Sequence, residues 1–206
     1  MHLAICWKPR VSRTTHRVVR TDVYDSDNVT GADNQQERLI EQRGWVIGFV
    51  DGEGCFSIGF VRQPNRTGRR GYTAGYQVSH AFVVTQGERS RSCLEELQEF
   101  FGVGRLHVNR RHDKHKEHLC QYVVTKRDHL VGTIIPFFRD FPLRTSKRFD
   151  FEGFAACMDV IESGRRLTRD GLMEIARVTE TMNHKKPRHE LIRILRGHTP
   201  DIQVTG

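Results

Sequence analysis

The run GWVIGFVDGEGCFSI, Gly44 to Ile58, constrains this chain more than any other stretch of it. It opens with helical apolar spacing and closes with the strict alternation of a strand. Between the two stands Asp51-Gly52-Glu53-Gly54, two carboxylates separated by glycine at the joint. Acids at the foot of an apolar helix are expensive to desolvate unless something pairs with them. A divalent cation suits the place, because Mg²⁺ and Ca²⁺ take carboxylate and carbonyl oxygens and the glycines let backbone carbonyls approach closely.

The periodicity to either side predicts an ordered series of elements. The first helix is expected from Gln35 to Val50, with Leu39, Ile40, Val46, Phe49 and Val50 on its apolar side. A strand follows with Phe56, Ile58 and Phe60 on one face and Ser57, Gly59 and Val61 on the other. The loop Arg62 to Gly71 leads to a second strand, Tyr76 to Thr85, with Val78, Phe82 and Val84 inward and Gln77, Ser79 and Ala81 outward. Glu88 to Phe101 reads as a helix with Leu94, Leu97 and Phe101 at core spacing. A third strand turns Leu106 and Val108 in and Arg105, His107 and Asn109 out, and a fourth spans His118 to Thr125. Helices at Asp128–Phe138, Lys147–Ser163 and from an N-cap at Thr168 complete the chain. The result is an α+β order, αββαββα with extra C-terminal helices. Residues 1–34 have little periodicity and are expected to form an irregular arm, leaving 35–206 as one domain.

Val46-Ile-Gly-Phe-Val-Asp-Gly-Glu-Gly54 resembles the LAGLIDADG motif of the homing endonucleases. The likeness continues through Phe82-Val-Val-Thr-Gln86, Phe101-Gly-Val-Gly-Arg105, Pro136-Phe-Phe138 and Pro142-Leu-Arg-Thr-Ser-Lys-Arg148, covering Gln35 to Met182. The resemblance implies a four-stranded antiparallel saddle that lies on DNA, and cleavage of both strands of a long pseudo-palindromic duplex to leave short 3′ overhangs. A single acidic motif implies a homodimer, with one acid from each copy meeting at a two-fold axis. An intron-encoded setting follows from the same likeness.

The resemblance also assigns roles. Glu53 occupies the terminal acidic position and would hold Mg²⁺, with Mn²⁺ or Ca²⁺ able to occupy the same site, and Gly52 would lend its carbonyl. Asp51 would orient the helix end. Gly44, Ile47, Gly48 and Asp51 would face the second copy, although Ile47 replaces the small residue common in the family. Gln86 would hold solvent in the catalytic pocket. Lys147 and Arg144 compete for the basic position that polarises it, with Lys147 preferred.

The outward strand residues Ser57, Gln63, Gln77, Ser79, Arg105, His107, Asn109 and Gln121 are candidate base readers, since a two-stranded ribbon fits the major groove. Each is equally an ordinary exposed sheet residue, and the case rests on their common face. Arg62, Arg66, Arg69, Arg70, Arg110, Arg111, Lys114 and Lys116 cluster in the two turns, where they would contact phosphates. A net charge of +8 agrees with an anionic partner. The five cysteines are scattered and odd in number, which suits a reducing, intracellular compartment. No apolar run reaches the roughly 20 residues of a membrane span. His112, His115, His118 and Cys120 lack the paired spacing of a zinc site. Two rivals use the same fold: a maturase binding intron RNA, and a DNA-binding regulator that has stopped cutting.

Overall fold

The computed structural model describes residues 32–62, 76–110, 117–182 and 192–193. The chain divides into two units, Met1–Arg38 and Leu39–Gly206. Of the first, only the opening turns of helix α1 are described. The expected N-terminal arm lies almost wholly outside the described residues. So do Gln63, Arg66, Arg69 and Arg70 of the first turn and Arg111, Lys114 and Lys116 of the second.

The elements are α1 (Ala32–Glu53), β1 (Gly54–Arg62), β2 (Tyr76–Gly87), α2 (Arg91–Phe101), β3 (Arg105–Asn109) and β4 (Leu119–Val124). After them come α3 (Arg127–His129), a π turn (Leu130–Ile134), α4 (Ile135–Asp140), α5 (Lys147–Glu162) and α6 (Arg169–Thr181). The strands form one antiparallel sheet in the order β1-β2-β4-β3. Among the described residues no helix is long and apolar enough to cross a membrane.

The alternation read from the sequence sorts the sheet into two faces. Phe56, Phe82, Val84, Tyr122 and Val124 are buried beneath the helices. Phe56 is the hub of this core. Its ring stacks on Phe82 with centroids 5.0 Å apart and meets the rings of Phe138 and Phe151 edge-on at 5.6 and 5.2 Å, arrangements that aromatic quadrupoles favour. Helix α2 contributes Leu94, Leu97 and Phe101, and Thr168 caps α6 by accepting the Gly171 amide, as its position predicts.

Three local expectations need correction. Leu39 and Ile40 are 44% and 60% exposed, so the apolar side of α1 is buried only from Val46 onward. Helix α1 also runs past Val50 to Glu53, and β1 begins at the next residue. Glycine permits that abrupt change: a Cβ on Gly54 would lie 2.6 Å from Val50 Cγ1 and 2.7 Å from the Val50 carbonyl. The helix expected over Asp128–Phe138 is widened in its middle, where Ile135 N–H bonds back to Leu130. Pro136 has no amide proton and its ring crowds the carbonyl four residues earlier, which disfavours a regular α turn there.

The end of α1 is tied to the segment before α5. Asp51 accepts hydrogen bonds from the Arg144 amide at 2.8 Å, the Thr145 amide at 3.2 Å and the Thr145 hydroxyl at 2.7 Å. Partial burial acts to raise the Asp51 pKa, but the Thr145 hydroxyl, the two amides and the Lys147 charge outweigh it, leaving it below its ordinary value of 3.8. A carboxyl depressed in the folded state stabilises above its unfolded pKa, and the contribution fades as pH falls through the folded value. Asp51→Ala should therefore cost about 1 kcal/mol in urea unfolding near neutral pH, the usual scale for losing a carboxylate cap. The gap from wild type should narrow below about pH 4. A gap that stays constant on acidification would mean the ionised carboxylate is not what holds the joint.

Candidate catalytic centre and nucleic-acid interface

Helix α1 delivers its acids to one end of the sheet. Glu53 is its last residue and is exposed, while Asp51 is engaged with the α5 approach. Lys147, the first residue of α5, reaches the same place. Its ammonium donates to the Val50 carbonyl at 3.1 Å and to the Gly52 carbonyl at 3.0 Å. These carbonyls belong to the last turn of α1, where the helix leaves acceptors unsatisfied and its dipole favours a cation. Burial pushes the Lys147 pKa down, against the opposing pull of Asp51, Cys55, Glu53 and Asp150.

That geometry separates the two basic candidates. Lys147 puts its charge on the terminal carbonyls of α1, whereas Arg144 meets the helix through its backbone amide, and its side chain is exposed. Gln86 sits half-buried near the end of β2, opposite Cys120 of β4. Because Gly54 pairs with Val84, Gln86 lies two residues beyond the start of β1, at the same end of the sheet as Glu53. The Gly52 carbonyl, expected to serve a cation, already accepts from Lys147; an ion arriving there would share or displace that contact.

The opposite face of the sheet carries the expected readers. Arg105, His107, Asn109, Gln77 and Ser79 are exposed, and Arg62 and Arg110 are exposed at strand ends. Two others are partly occupied within the sheet: the Ser57 hydroxyl donates to the Ala81 carbonyl at 3.3 Å, and the Gln121 amide to Thr85 Oγ1 at 3.2 Å. The register aligns Thr85, Gln121 and His107 in one row across three strands. Thr85 belongs to this face and escaped the sequence reading, although its odd position in β2 marks it. Cys55, Val83 and Val123 share the face as well, so it is not uniformly polar.

Gly44, Gly48 and Gly52 stand four residues apart on α1, and a Cβ at each would meet nothing within 4 Å among the described residues. At about 100° per residue this row points away from Val46 and Val50, which face the core. Ile47 is half-buried against the core cluster. Asp51 is occupied within its own chain. Among the described residues no group of three or more His, Cys, Asp or Glu converges on one point.

Comparison with known proteins agrees with this arrangement. The sequence profile of the LAGLIDADG endonuclease family matches residues 46–158. A probable intron-encoded endonuclease 2 of Neurospora crassa is 28% identical over 140 residues, which is 67% of this chain and 26% of that protein. The homing endonuclease I-ApeII of Aeropyrum pernix is 32% identical over 111 residues, 54% of this chain and 59% of its own length. The chain thus spans only about a quarter of the fungal relative and somewhat over half of the archaeal one. Among solved structures, the homing endonuclease I-TnaI aligns with a TM-score of 0.61 and 36% identity, covering 75% of this chain and 95% of its own. I-SmaMI bound to cleaved DNA aligns at 0.63 and 26%, covering 77% of this chain and 49% of its own. The profile match takes in the joint at Asp51, the acid at Glu53 and the sheet that follows, and the chain belongs to the LAGLIDADG endonuclease family.

Proposed function

We propose that this protein is a site-specific, intron-encoded homing endonuclease that works as a homodimer and cuts both strands of a long pseudo-palindromic DNA duplex to leave short 3′ overhangs. The observation that carries the reading is the juxtaposition of the exposed Glu53 with Lys147 at one end of a sheet whose open face presents Arg105, His107 and Asn109. The family's solved members include one bound to cleaved DNA, which supports DNA as the substrate.

The donor set fits a hard divalent cation. Glu53 offers an exposed carboxylate next to backbone carbonyls of the helix end, all oxygen, which suits Mg²⁺, with Mn²⁺ or Ca²⁺ as substitutes. When bound, the cation supplies Lewis-acid stabilisation of the charge that builds on the phosphate. One carboxylate per chain is a sparse ligand set, which supports a site completed by the Glu53 of a second copy. The bare row of Gly44, Gly48 and Gly52 gives such a copy a close approach to α1. Lys147 holds positive charge beside the site and orients solvent, with Gln86 on the neighbouring strand. Phosphates of the duplex lie against the exposed arginines at the strand ends, and base edges against the open face.

A maturase on the same fold remains the second reading, since a basic, partly polar sheet also suits RNA. An intact Glu53 with Lys147 on its helix end favours the nuclease.

Glu53→Gln should abolish cleavage of a cognate duplex while leaving its affinity within about twofold, because the change removes charge without volume. Cutting by this variant would remove Glu53 from the mechanism. Lys147→Met should lower the cleavage rate by about a hundredfold or more in single-turnover assays, the scale of a positioned proton-transfer or electrostatic group. Arg144→Met should leave the rate within about threefold; the reverse order would exchange their roles. Arg105→Ala should cost about 1–3 kcal/mol of discrimination at one base pair of each half-site, read from a randomised target library. Uniform weakening across all sequences would make it a phosphate contact instead.

A further inference from the structure

On β2 the ladder to β4 extends only from Phe82 to Gly87. The outer half of the strand, Tyr76 to Ala81, therefore has β1 on one side and no strand on the other among the described residues. Where pairing stops, the chain after β4 turns away through Lys126 into α3. This leaves a cavity of about 320 Å³ whose walls include Tyr76, His80, Lys126, Arg127, Asp128 and Arg166. It lies at the other end of β2 from Gln86. His80 shares the helix-facing side of β2 with Val78 and Phe82, while Gln77 of the open face also lines the cavity, which thus lies at the unpaired edge of β2 and meets the reader face at that one residue.

The cavity walls are unusually cationic. Three of the six named side chains carry positive charge and one is acidic. Arg127 is partly balanced, its Nε lying 3.4 Å from Glu162 and 3.9 Å from Asp128. Lys126 and Arg166 have no acidic partner within ion-pair distance among the described residues. Arg166 is held instead by donating to the Ile161 carbonyl at 2.9 Å, which fixes a guanidinium at the cavity wall. One buried nitrogen here, His80 Nδ1, makes no hydrogen bond among the described residues, whereas Arg127 Nε, also without a hydrogen bond, faces the Glu162 carboxylate. Buried polar atoms seldom go unpaired, and the exceptions mark places where water or a ligand belongs. The charges of Arg127 and Arg166 both reach His80, whose pKa is lowered first by burial and then by them.

We propose that this cavity is a binding site for a phosphate monoester. Two guanidinium groups match the geometry of phosphate oxygens, and an ammonium adds a mobile third contact. The volume exceeds what a lone oxyanion requires and meets the lower bound of small-molecule pockets, about 300 Å³. The remaining space, with Tyr76 on its wall, accommodates a planar organic group. A free mononucleotide is the simplest ligand with both parts. The same phosphate chemistry is present on a nucleic-acid strand, and the test separates the two.

Full-length protein would be titrated by calorimetry with a nucleoside monophosphate and with inorganic phosphate, against sodium chloride at matched ionic strength. The expected result is saturable binding of one monophosphate per chain, weaker binding of inorganic phosphate, and none of chloride. The Lys126→Gln/Arg166→Gln pair should weaken monophosphate binding by about tenfold or more, while Arg177→Gln, a charge change on exposed α6, leaves it unchanged. Should the double variant fail to fold, Lys126→Gln alone carries the test, since that exposed side chain makes no hydrogen bond or ion pair among the described residues. A duplex lacking terminal phosphates should not displace the monophosphate. Displacement by the duplex, equal binding by the charge variants, or binding no different from chloride would each overturn the proposal.

Discussion

The end of helix α1 is held by a carboxylate and an ammonium that come from opposite sides of the same joint. Asp51 points out of the helix and takes two amides and a hydroxyl from the Arg144–Thr145 segment. Lys147 points in and caps the carbonyls of Val50 and Gly52. These groups are more than ninety residues apart in sequence. Together they fix where α1 stops, and therefore where Glu53 stands relative to α5 and to the first residue of β1. Hydrogen bonds to ionised groups are stronger than neutral ones and sharper in direction. A joint of this kind gives an exposed carboxylate a defined position without burying it.

The sheet depends on the joint in its turn. Gly54 follows Glu53 without a connecting loop, so the register of β1 against β2 is set from the helix end onward. With a period of two, that register decides which side chains face the helices and which stay open. Phe56 enters the aromatic core, and Cys55 and Ser57 go to the other face. A slip of one residue would bury Ser57 and expose Phe56. The packing of four aromatic rings around Phe56 opposes such a slip more strongly than any single hydrogen bond of the ladder.

Much of this was legible in the sequence because it is periodic or local. Alternation sorted both faces of β1 to β3, the Thr168 cap placed α6, and the Asp-Gly-Glu-Gly joint marked the candidate centre. What escaped depends on partners distant in sequence. Leu39 and Ile40 continue the apolar spacing of α1, but in the described structure the core begins about two turns later, at Val46. The helix end moved from Val50 to Glu53 because Lys147 satisfies its last carbonyls, and nothing local announces that. Lys147 and Arg144 are three residues apart in a basic stretch, so only the direction of each side chain distinguishes them. His80 had an assignable face from its parity in β2, yet its cationic neighbours come from α3 and from the turn after α5.

Helix α1 shows how one element carries several constraints without conflict. Residues on a helix advance by about 100°, so positions four apart drift only about 40° and form a nearly straight row. Val46 and Val50 make one such row, fully buried. Gly44, Gly48 and Gly52 make another on roughly the opposite side, where nothing among the described residues meets them. Glycine there weakens the isolated helix by up to about 1 kcal/mol per residue relative to alanine. The chain tolerates three such residues in three turns, and no turn, bulge or positive φ requires any of them. A backbone this bare is what the close approach of another helix demands, and a second copy of α1 would bring its own Glu53 to the same end. The sequence cost of the glycine row thus makes physical sense as the counterpart of the proposed centre, to which each chain would bring one exposed acid.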